Sequence, residues 1–258
     1  DSSNRRKGEL SAFSNFRTKL RLMGRRRLMK KHKVVSTAKT ALLLHFDGSL
    51  TDAVNNKSNI SGSISSYPIA KFGQGAYFNR NTISYDTSEI DFSGDWTVDF
   101  WWQDKSDTDY SNDNIGFFSN SSYFYPGWDK SGLGLRWIRS ETYNQDFFRV
   151  YFNTTLYNST EKYLDWSVSN AYFKDKLHHI AMVKSGTTGY FFVDGILKGT
   201  KTGLPANDAI CDNLKLGDWT LGSSANGFNV GIFDEFRISR VARWTSNFTP
   251  PTQPYVID

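Results

Sequence analysis

The chain has 258 residues, of which 38% are hydrophobic and 16% aromatic, so it contains enough apolar side chains for a large folded core. Its 8 Trp, 13 Tyr and 20 Phe exclude a wholly disordered chain, and its single cysteine excludes a scaffold held together by disulfides. No apolar run approaches the roughly 18 residues that a membrane-spanning helix needs, so we expect no transmembrane segment.

The positive charge is concentrated at the start of the chain. Residues 1–33 contain 12 Lys and Arg against two acidic residues, a net charge of +10, whereas the remainder has 19 basic and 24 acidic residues. Apolar residues recur at spacings of three and four between Leu10 and Met23, which is typical of one face of a helix. We therefore predict that residues 1–40 form a basic arm, extended or partly helical, that docks on a negatively charged surface. A solvated, flexible tail is the alternative.

The densest positive charge lies in the second half of this arm, where we predict the anchoring residues. They are Arg21, Arg25, Arg26, Arg27, Lys30 and Lys31. An acidic protein surface, anionic lipid headgroups and nucleic acid all offer the complementary charge. Nucleic acid is the least favoured of the three, because no stacking surface of interleaved aromatic residues accompanies the arm. We expect the partners to be other subunits of a larger assembly.

Residues 41–258 predict an all-β domain. Short apolar runs alternate with Gly, Asn, Asp and Ser, and no long helical period appears, although residues 171–176 can form one helical turn. The predicted strands span residues 41–46, 75–78, 82–85, 96–102, 115–118, 133–138, 147–152, 178–184, 189–193, 214–217 and 230–238. Many short strands separated by turn residues favour a jelly roll or sandwich of two antiparallel sheets.

Two patterns within these strands are specific. In residues 96–102, Val98 and Phe100 alternate with Thr97 and Asp99, so we predict a strand that is buried on one face only. Asp194-Gly195 is the pair typical of a two-residue hairpin turn.

Five segments resemble, in the same order, the laminin-G-like, concanavalin A-like jelly-roll family. They lie at residues 42–52, 71–78, 92–102, 178–195 and 221–251, where the last includes the run GIFDEFRI. The resemblance covers roughly residues 41–251 and implies a jelly-roll sandwich; the basic arm does not match the family. The closing stretch, residues 242–251, is most similar to copies in structural proteins of bacteriophages.

The resemblance makes an enzymatic function one of the alternatives to test, because the superfamily includes endo-glucanases. These enzymes carry Glu-x-Asp-x-Glu or Glu-x-Asp-x-x-Glu on one strand, which places two carboxyl groups about 5 Å apart across the scissile bond. Glu89 and Asp91 match the first half of the pattern, but Ser93 and Gly94 stand where the second glutamate belongs. Without an acid/base partner the two-carboxylate mechanism fails, and we predict that the protein is not an enzyme.

Other catalytic or metal-binding patterns are weak. His178 and His179 are neighbours in a predicted strand, so their side chains point to opposite faces and cannot chelate one ion together. Cys211 has no accompanying motif and is expected to be a small buried residue.

The resemblance also implies one structural Ca²⁺, because many members of the family bind this ion at the rim of a sheet. Calcium takes six to eight oxygen ligands, and the oxygen-rich candidates are Asp47, Asp52 and Asp234. The first and last strands of this fold are neighbours, which would bring Asp47 and Asp234 together. Alternatively, Asp47-Gly48 is only a turn, and Asp234 only an inward polar residue bonded to backbone amides.

Aromatic side chains on loops are the candidates for ligand binding. Lectins stack a sugar ring on an exposed aromatic residue and fix its hydroxyl groups with nearby polar groups. Tyr125 and Trp128, in a segment with Pro and Gly, match this composition, and Trp137 is a further candidate. The alternatives are packing in the core and an anchor between neighbouring subunits.

Together these features predict a non-enzymatic structural or decoration protein of a larger assembly, most consistent with a phage virion. The basic arm would anchor it, and a lectin-like domain would face outward, on a virion or extracellular surface, for weak glycan adhesion. A free carbohydrate-binding lectin is the first alternative, and a diverged glucanase is the second.

Overall fold

The folded body consists of two antiparallel β-sheets packed face to face, in a computed structural model that describes residues 38–106, 114–119, 132–140, 145–154, 163–205, 213–217 and 229–258. The strands are β1 (Thr40–Leu44), β2 (Ser65–Tyr67), β3 (Gly75–Asn79), β4 (Ile83–Asp86), β5 (Trp96–Asp104), β6 (Asn114–Ser119), β7 (Gly132–Ser140), β8 (Gln145–Thr154), β9 (Tyr163–Ser167), β10 (His178–Ser185), β11 (Thr188–Val193), β12 (Ile196–Lys201), β13 (Asn213–Leu216) and β14 (Val230–Ser239). In the described ranges, helical structure is limited to the 3-10 helix Asn170–Phe173, where the sequence predicts one helical turn. The predicted all-β sandwich is confirmed.

The first sheet has the order β12-β11-β10-β5-β14-β3-β2, with β1 pairing to β14 beside this path. The second sheet has the order β4-β13-β6-β7-β8-β9. The β1–β14 pairing matches the expectation that the first and last strands are neighbours. Most of the fully buried aromatic side chains lie between the sheets, where the Phe100 ring centroid is 5.2 Å from that of Phe233 and 6.0 Å from that of Phe117.

Each of the eleven predicted strands is present within two residues at either end. The sequence prediction missed β2, β9 and β12, which are three to six residues long.

The anchoring residues predicted in the arm, Arg21, Arg25, Arg26, Arg27, Lys30 and Lys31, lie outside the described residues. Within the described ranges, no helix has the length and hydrophobicity needed to cross a membrane.

The last part of the chain, residues 240–258, lies across the side of the first sheet that faces away from the second sheet, and we call it the C-terminal strap. Its Tyr255 packs with Leu43 and Trp101, while Trp244 and Phe248 pack over the cluster that contains Phe192. The strap corrects one prediction: all nine residues of β5 are buried, because the second sheet covers one face of the strand and the strap covers the other.

The predicted hairpin turn at Asp194-Gly195 is present and supports the strap. Both residues have positive φ (52° and 75°), and Val193 pairs directly with Ile196 across the turn. The Phe248 amide donates to the Gly195 carbonyl at 2.9 Å, and a Cβ atom at position 195 would collide with the Phe248 carbonyl. Only glycine therefore satisfies both the turn and the close approach of the strap.

Candidate functional site

The outward side of strands β6 to β9 carries arginine, tyrosine and aspartate side chains, which are residue types that often bind ligands. Leu135, Trp137, Phe148 and Val150 point into the core and are fully buried. Because side chains alternate along a strand, their neighbours point outward from the second sheet. We call this surface the outer face; its described side chains lie on Ser119, Arg136, Ile138, Phe147, Arg149, Tyr151, Tyr163, Asp165 and Ser167, next to Gly116 and Gly134.

Strand register places four of these residues in one row across the sheet. Gly116 lies opposite Arg136, Arg136 opposite Arg149, and Arg149 opposite Asp165. Directly opposite residues of an antiparallel pair have Cβ atoms about 5 Å apart, so neighbouring side chains in the row are within contact distance. We call Gly116, Arg136, Arg149 and Asp165 the arginine row.

Arg149 is held in a fixed orientation by two neighbours on β9. Its Nε and Nη2 donate to the two carboxylate oxygens of Asp165 at 2.8 and 2.7 Å, and its Cζ lies 3.8 Å from the centroid of the Tyr163 ring. Burial by itself would lower the pKa of Arg149, but the hydrogen bonds and charge of Asp165 outweigh it and raise that pKa. The guanidinium is thus charged, planar and oriented, as ligand-binding arginines are.

Arg136 lies at the more buried end of the row and is only 8% exposed. Its Nη2 donates to the Tyr151 hydroxyl at 3.1 Å. Burial lowers the pKa of Arg136, and the positive charge of Arg149 lowers it further.

Aromatic rings border the arginine row on β8 and β9. The rings of Tyr151 and Tyr163 lie directly opposite each other with centroids 5.8 Å apart, and Phe147 lies on the other side of Arg149. Gly134, opposite Tyr151, adds no side chain to this part of the face. Aromatic surface beside oriented hydrogen-bond donors and an acceptor is the combination that holds a sugar ring and its hydroxyl groups.

Sequence analysis missed the arginine row. Arg136 and Arg149 do alternate with apolar residues in strands that the sequence predicts correctly, and this period-two pattern was the available signal. It could not reveal that the two arginines are direct partners, because register depends on which strands pair and on the length of the connection between them.

The partial glucanase motif does not lie on a strand, as the motif does in those enzymes. Glu89 and Asp91 lie in the connection between β4 and β5, where Glu89 accepts a hydrogen bond from Lys57 at 3.1 Å and Asp91 accepts one from the Ser93 amide at 2.9 Å. Both residues are exposed at the surface. On the outer face, Asp165 is the only carboxylate among the described side chains of β6 to β9, and it is bonded to Arg149.

Asp52, one of the three predicted calcium ligands, has backbone and side-chain partners near the end of β1. Asp52 is buried, and each of its carboxylate oxygens accepts two hydrogen bonds: Oδ1 from the Leu43 and Val54 amides, and Oδ2 from the amide and side chain of Asn55. Both carboxylate oxygens of Asp52 are therefore engaged in fixing the turn after β1.

Asp47 and Asp234 do come together, as the neighbouring first and last strands imply. Asp47 Oδ1 accepts from the Gln74 amide and Asp234 Oδ2 from the Phe72 amide, each at 2.8 Å, so both carboxylates hold the connection between β2 and β3. Asp234 Oδ1 is buried without a hydrogen-bond partner among the described residues. Burial, together with the charge of Glu235, raises the pKa of Asp234 to about 7.

This arrangement fits a calcium ion only in part. An unpartnered buried carboxylate oxygen beside a second carboxylate is an environment that favours a cation. However, no group of three or more His, Cys, Asp or Glu side chains in the described ranges has the arrangement of a metal site. An ion bound there would depend on Asp47, Asp234, backbone carbonyls and water.

The predicted ligand-binding residues have different outcomes. Trp137 is wrong as a surface residue: it is fully buried, stacks on Phe148 at 5.6 Å between ring centroids with an 8° interplanar angle, and packs edge-on against Trp102. It contributes to the core because residue 137 has the inward orientation of Leu135. Tyr125 and Trp128 lie outside the described residues, as does Cys211.

The two adjacent histidines point to opposite faces, as predicted. The side chain of His178 lies between the carboxylates of Asp194 and Asp175, with nitrogen–oxygen distances of 2.7 and 3.2 Å. His179 lies under the C-terminal strap, where its Nε2 is 2.9 Å from the Tyr255 hydroxyl.

Comparison with solved structures supports the fold. The receptor-binding domain of botulinum neurotoxin type G aligns with a TM-score of 0.54 at 14% identity, covering 79% of this chain and 48% of the toxin chain. A structure of botulinum neurotoxin type C gives a TM-score of 0.57 at 14% identity over 79% of this chain and 48% of its own. The binding domain of Paraclostridial Mosquitocidal Protein 1 gives 0.51 at 13% identity, with 80% of this chain and 49% of that chain covered. The chain spans about half the length of these proteins, and at such identities the likeness concerns the fold alone.

No curated protein sequence matches the chain. The family model described as the concanavalin A-like lectin/glucanases superfamily matches residues 79–246, which is more than half of the chain and includes strands of both sheets. This chain belongs to the concanavalin A-like lectin/glucanase superfamily.

Proposed function

We propose that this protein is a non-enzymatic glycan-binding module, held on a larger assembly by its basic arm. The observation that carries the binding function is the arrangement on the outer face, where Arg149 is clamped between Asp165 and the ring of Tyr163. The aromatic rings supply surface for a sugar ring, and the oriented guanidinium and carboxylate groups supply hydrogen-bond partners for hydroxyls. Fold likeness to toxin receptor-binding domains is compatible with this function but does not decide it.

Binding rather than hydrolysis is favoured because Glu89 and Asp91 lie in a connection and not on a strand face. A two-carboxylate mechanism needs a nucleophile or base and a protonated acid at a fixed separation across the sugar. Asp165 is bonded to Arg149 and is the only carboxylate among the described side chains of the outer face, so the described part of this face lacks the second carboxyl group of such a mechanism.

The anchoring part of the proposal depends on charge. The first 33 residues carry a net charge of +10, whereas the rest of the chain is net acidic. An arm of this charge would bind a negatively charged surface shared by many copies, such as that of a phage particle, and the similarity of residues 242–251 to phage structural proteins favours a virion. Many copies on one particle would convert weak binding by each face into useful avidity.

The binding function is tested by titrating neutral and acidic oligosaccharides into the full chain by calorimetry. Tyr163→Ala removes the ring beneath Arg149 and should weaken binding about tenfold, since a stacking contact of this kind contributes roughly 1 kcal/mol or more. Tyr67→Ala, on edge strand β2 of the other sheet, is the matched control and should bind like the parent chain. Equal loss in both variants, or no binding by the parent chain, would exclude the outer face as the site.

The anchoring function is tested by native mass measurement of the full chain and of a chain lacking residues 1–33, isolated with its natural assembly. Incorporation of the full chain alone, with sugar binding retained in both, supports an anchor. Equal incorporation of both chains would contradict it. A monomeric state of both chains with intact sugar binding would favour a free lectin instead.

A further inference from the structure

The last residues of the basic arm, residues 38–40, are fixed to both ends of the C-terminal strap. The amides of Lys39 and Thr40 donate to the Asp258 carbonyl at 2.6 and 3.1 Å. The Arg240 amide donates to the Lys39 carbonyl at 2.7 Å. The chain therefore enters the folded body at a corner where the strap begins and ends.

Side chains hold the same corner in place. Arg243 donates to both carboxylate oxygens of Asp258, at 2.6 and 3.2 Å, and the Thr40 hydroxyl also donates to Asp258 Oδ1 at 2.6 Å. The hydrogen bonds from Arg243 and Thr40 and the charge of Arg243 lower the pKa of Asp258 to about 2. The corner is thus a preorganised surface that contains a charged carboxylate, and a partner does not have to order it on binding.

Two adjacent aliphatic side chains are exposed at this corner. Val256 is 69% exposed and Ile257 is 49% exposed. Two aromatic residues of the strap, Trp244 and Phe248, are half-buried and stack on each other with ring centroids 3.9 Å apart. Apolar side chains that stay exposed on a rigid segment are typical of surfaces that contact another protein.

The charge at the corner is opposite to that of the body around it. Residues 34–258 have a net negative charge, but residues 38–40 and 240–258 contain three basic side chains and only one acidic side chain, that of Asp258. Arg243 is paired with Asp258, whereas Lys39 and Arg240 form no salt bridge with the residues that the structure describes. The positive charge of the first 33 residues thus continues where the chain enters the body. We call Lys39, Arg240, Val256 and Ile257 the strap patch.

The strap and the outer face lie on opposite sides of the sandwich. The strap covers the side of the first sheet that faces away from the second sheet, and the outer face is the side of the second sheet that faces away from the first. A body that is held by its strap would therefore direct Arg149, Tyr163 and Asp165 away from the surface that holds it.

Building on the anchoring part of the proposed function, we propose that the strap patch is the contact between the folded body and the assembly, and that the partner is an acidic protein surface. Such a surface complements the charge of Lys39 and Arg240 and offers apolar area for Val256 and Ile257. It also offers hydrogen-bond donors to the Asp258 carboxylate. A phosphate backbone or an anionic membrane presents only further negative charge to this carboxylate, which disfavours both.

Cysteine labelling in the natural assembly tests the orientation of the body. Val256→Cys and Ser167→Cys, each combined with Cys211→Ser, place a single thiol on the strap or on the outer face. A water-soluble maleimide is applied to the intact assembly and to the released full chain. Val256→Cys should react about tenfold or more slowly in the assembly, because the centre of a protein contact excludes water. Ser167→Cys should react at the same rate in both samples.

A matched pair of double variants tests the chemistry of the partner. Lys39→Glu/Val256→Asp makes the strap patch negative, and Lys57→Glu/Ile60→Asp makes the same change of charge on the exposed segment before β2. Because like charges across a contact cost several kcal/mol, incorporation of the first variant should fall about tenfold or more, while the second should incorporate like the parent chain. Both should keep the parent's urea unfolding midpoint and sugar binding. Binding of the same chains to phosphatidylserine vesicles and to duplex DNA is measured alongside.

Distinct results overturn the two proposals. Equal labelling of Val256→Cys in the assembly and in the released chain would overturn the strap contact and leave an anchor made by the arm alone. Protection of Ser167→Cys in the assembly would overturn the proposed orientation. If Lys39→Glu/Val256→Asp incorporates normally but loses binding to vesicles or DNA, the partner is lipid or nucleic acid and not an acidic protein. Failure of the parent chain to enter any assembly would overturn the anchoring function and the strap contact together.

Discussion

Asp99 and Arg237 form a two-point ion pair that is buried between the first sheet and the C-terminal strap. Arg237 Nε donates to Asp99 Oδ1 at 3.0 Å and Nη2 to Oδ2 at 2.9 Å, and Asp99 is fully buried. Burial alone would raise the pKa of Asp99, but the charge of Arg237 and the hydrogen bonds from His179 and Arg237 outweigh it and hold the pKa at about 2. Tyr255 of the C-terminal strap closes the pair from outside, with its ring 4.0 Å from the guanidinium of Arg237.

This pair predicts a large loss of stability when one partner is removed. Asp99→Asn leaves the Arg237 guanidinium buried without a counter-charge, so the free energy of unfolding should fall by about 3–5 kcal/mol. Urea unfolding followed by tryptophan fluorescence measures the change. The double variant Asp99→Leu/Arg237→Met removes both charges and should be markedly more stable than Asp99→Asn. If it is equally unstable, the loss comes from packing and not from the unpaired charge.

The same strand illustrates how much of the fold the sequence predicts. Alternation of apolar and polar residues locates β5 correctly, because an antiparallel strand with one solvated face produces that pattern. The pattern cannot show that the strap later covers the polar face, since this depends on Trp244, Phe248 and Tyr255, which are more than 140 residues away in the sequence. Asp99 is tolerated in the interior only because Arg237 comes from the neighbouring strand β14.

The candidate sites, like the fold, were predicted from the sequence only in part. Asp47 and Asp234 were found from sequence because the family's strand order makes β1 and β14 neighbours. Trp137 was misplaced because an aromatic residue suits either a binding surface or the core, and its inward direction is fixed only by the pairing of β7 with its neighbours. Strand β9, which supplies Tyr163 and Asp165, has only five residues and follows a polar segment, so its period-two signal is too short to predict.

His178 predicts one part of the pH dependence of stability. Burial by itself would lower the pKa of His178, but Asp194 and Asp175 outweigh it and raise the pKa above its ordinary value. A raised histidine pKa means that the folded state binds the proton more tightly, so this stabilisation is complete below the unfolded pKa and is lost as pH rises through the folded one. His178→Gln should therefore flatten the decrease in unfolding free energy between about pH 6 and 8. Urea unfolding at several pH values tests this, and an unchanged slope would contradict the prediction.

The raised pKa of Asp234 predicts a second contribution to the pH dependence of stability. It is again a loss of stability as pH rises, but over a lower pH range. The folded pKa of Asp234 is raised to about 7 by burial and by Glu235, whereas an unfolded aspartate titrates near 3.8. The folded state thus holds a proton that the unfolded state releases, and the resulting stabilisation is lost as pH rises from about 4 through 7. In calcium-free buffer, Asp234→Asn should be more stable than the parent chain at pH 8 and should lose this dependence. Lower stability of Asp234→Asn at pH 8 would contradict the prediction.

If a calcium ion binds between Asp47 and Asp234, it should remove the destabilisation that the charged Asp234 carboxylate causes. These carboxylates lie at one connection, and Asp234 Oδ1 has no partner among the described residues, so a cation there would offset the repulsion among Asp47, Asp234 and Glu235. Millimolar calcium at pH 8 should then raise the melting temperature of the parent chain. It should also raise that of Asp52→Asn, measured from this variant's own lower starting value, because the Asp52 carboxylate bonds to the Leu43 amide of β1 and to the turn after β1. It should leave Asp47→Asn and Asp234→Asn unchanged. Thermal unfolding with calcium, with magnesium and with a chelator measures the effect. Equal melting temperatures of the parent chain in all three conditions would show that no ion is held, and that the amides of Phe72 and Gln74 are the true partners of the two carboxylates.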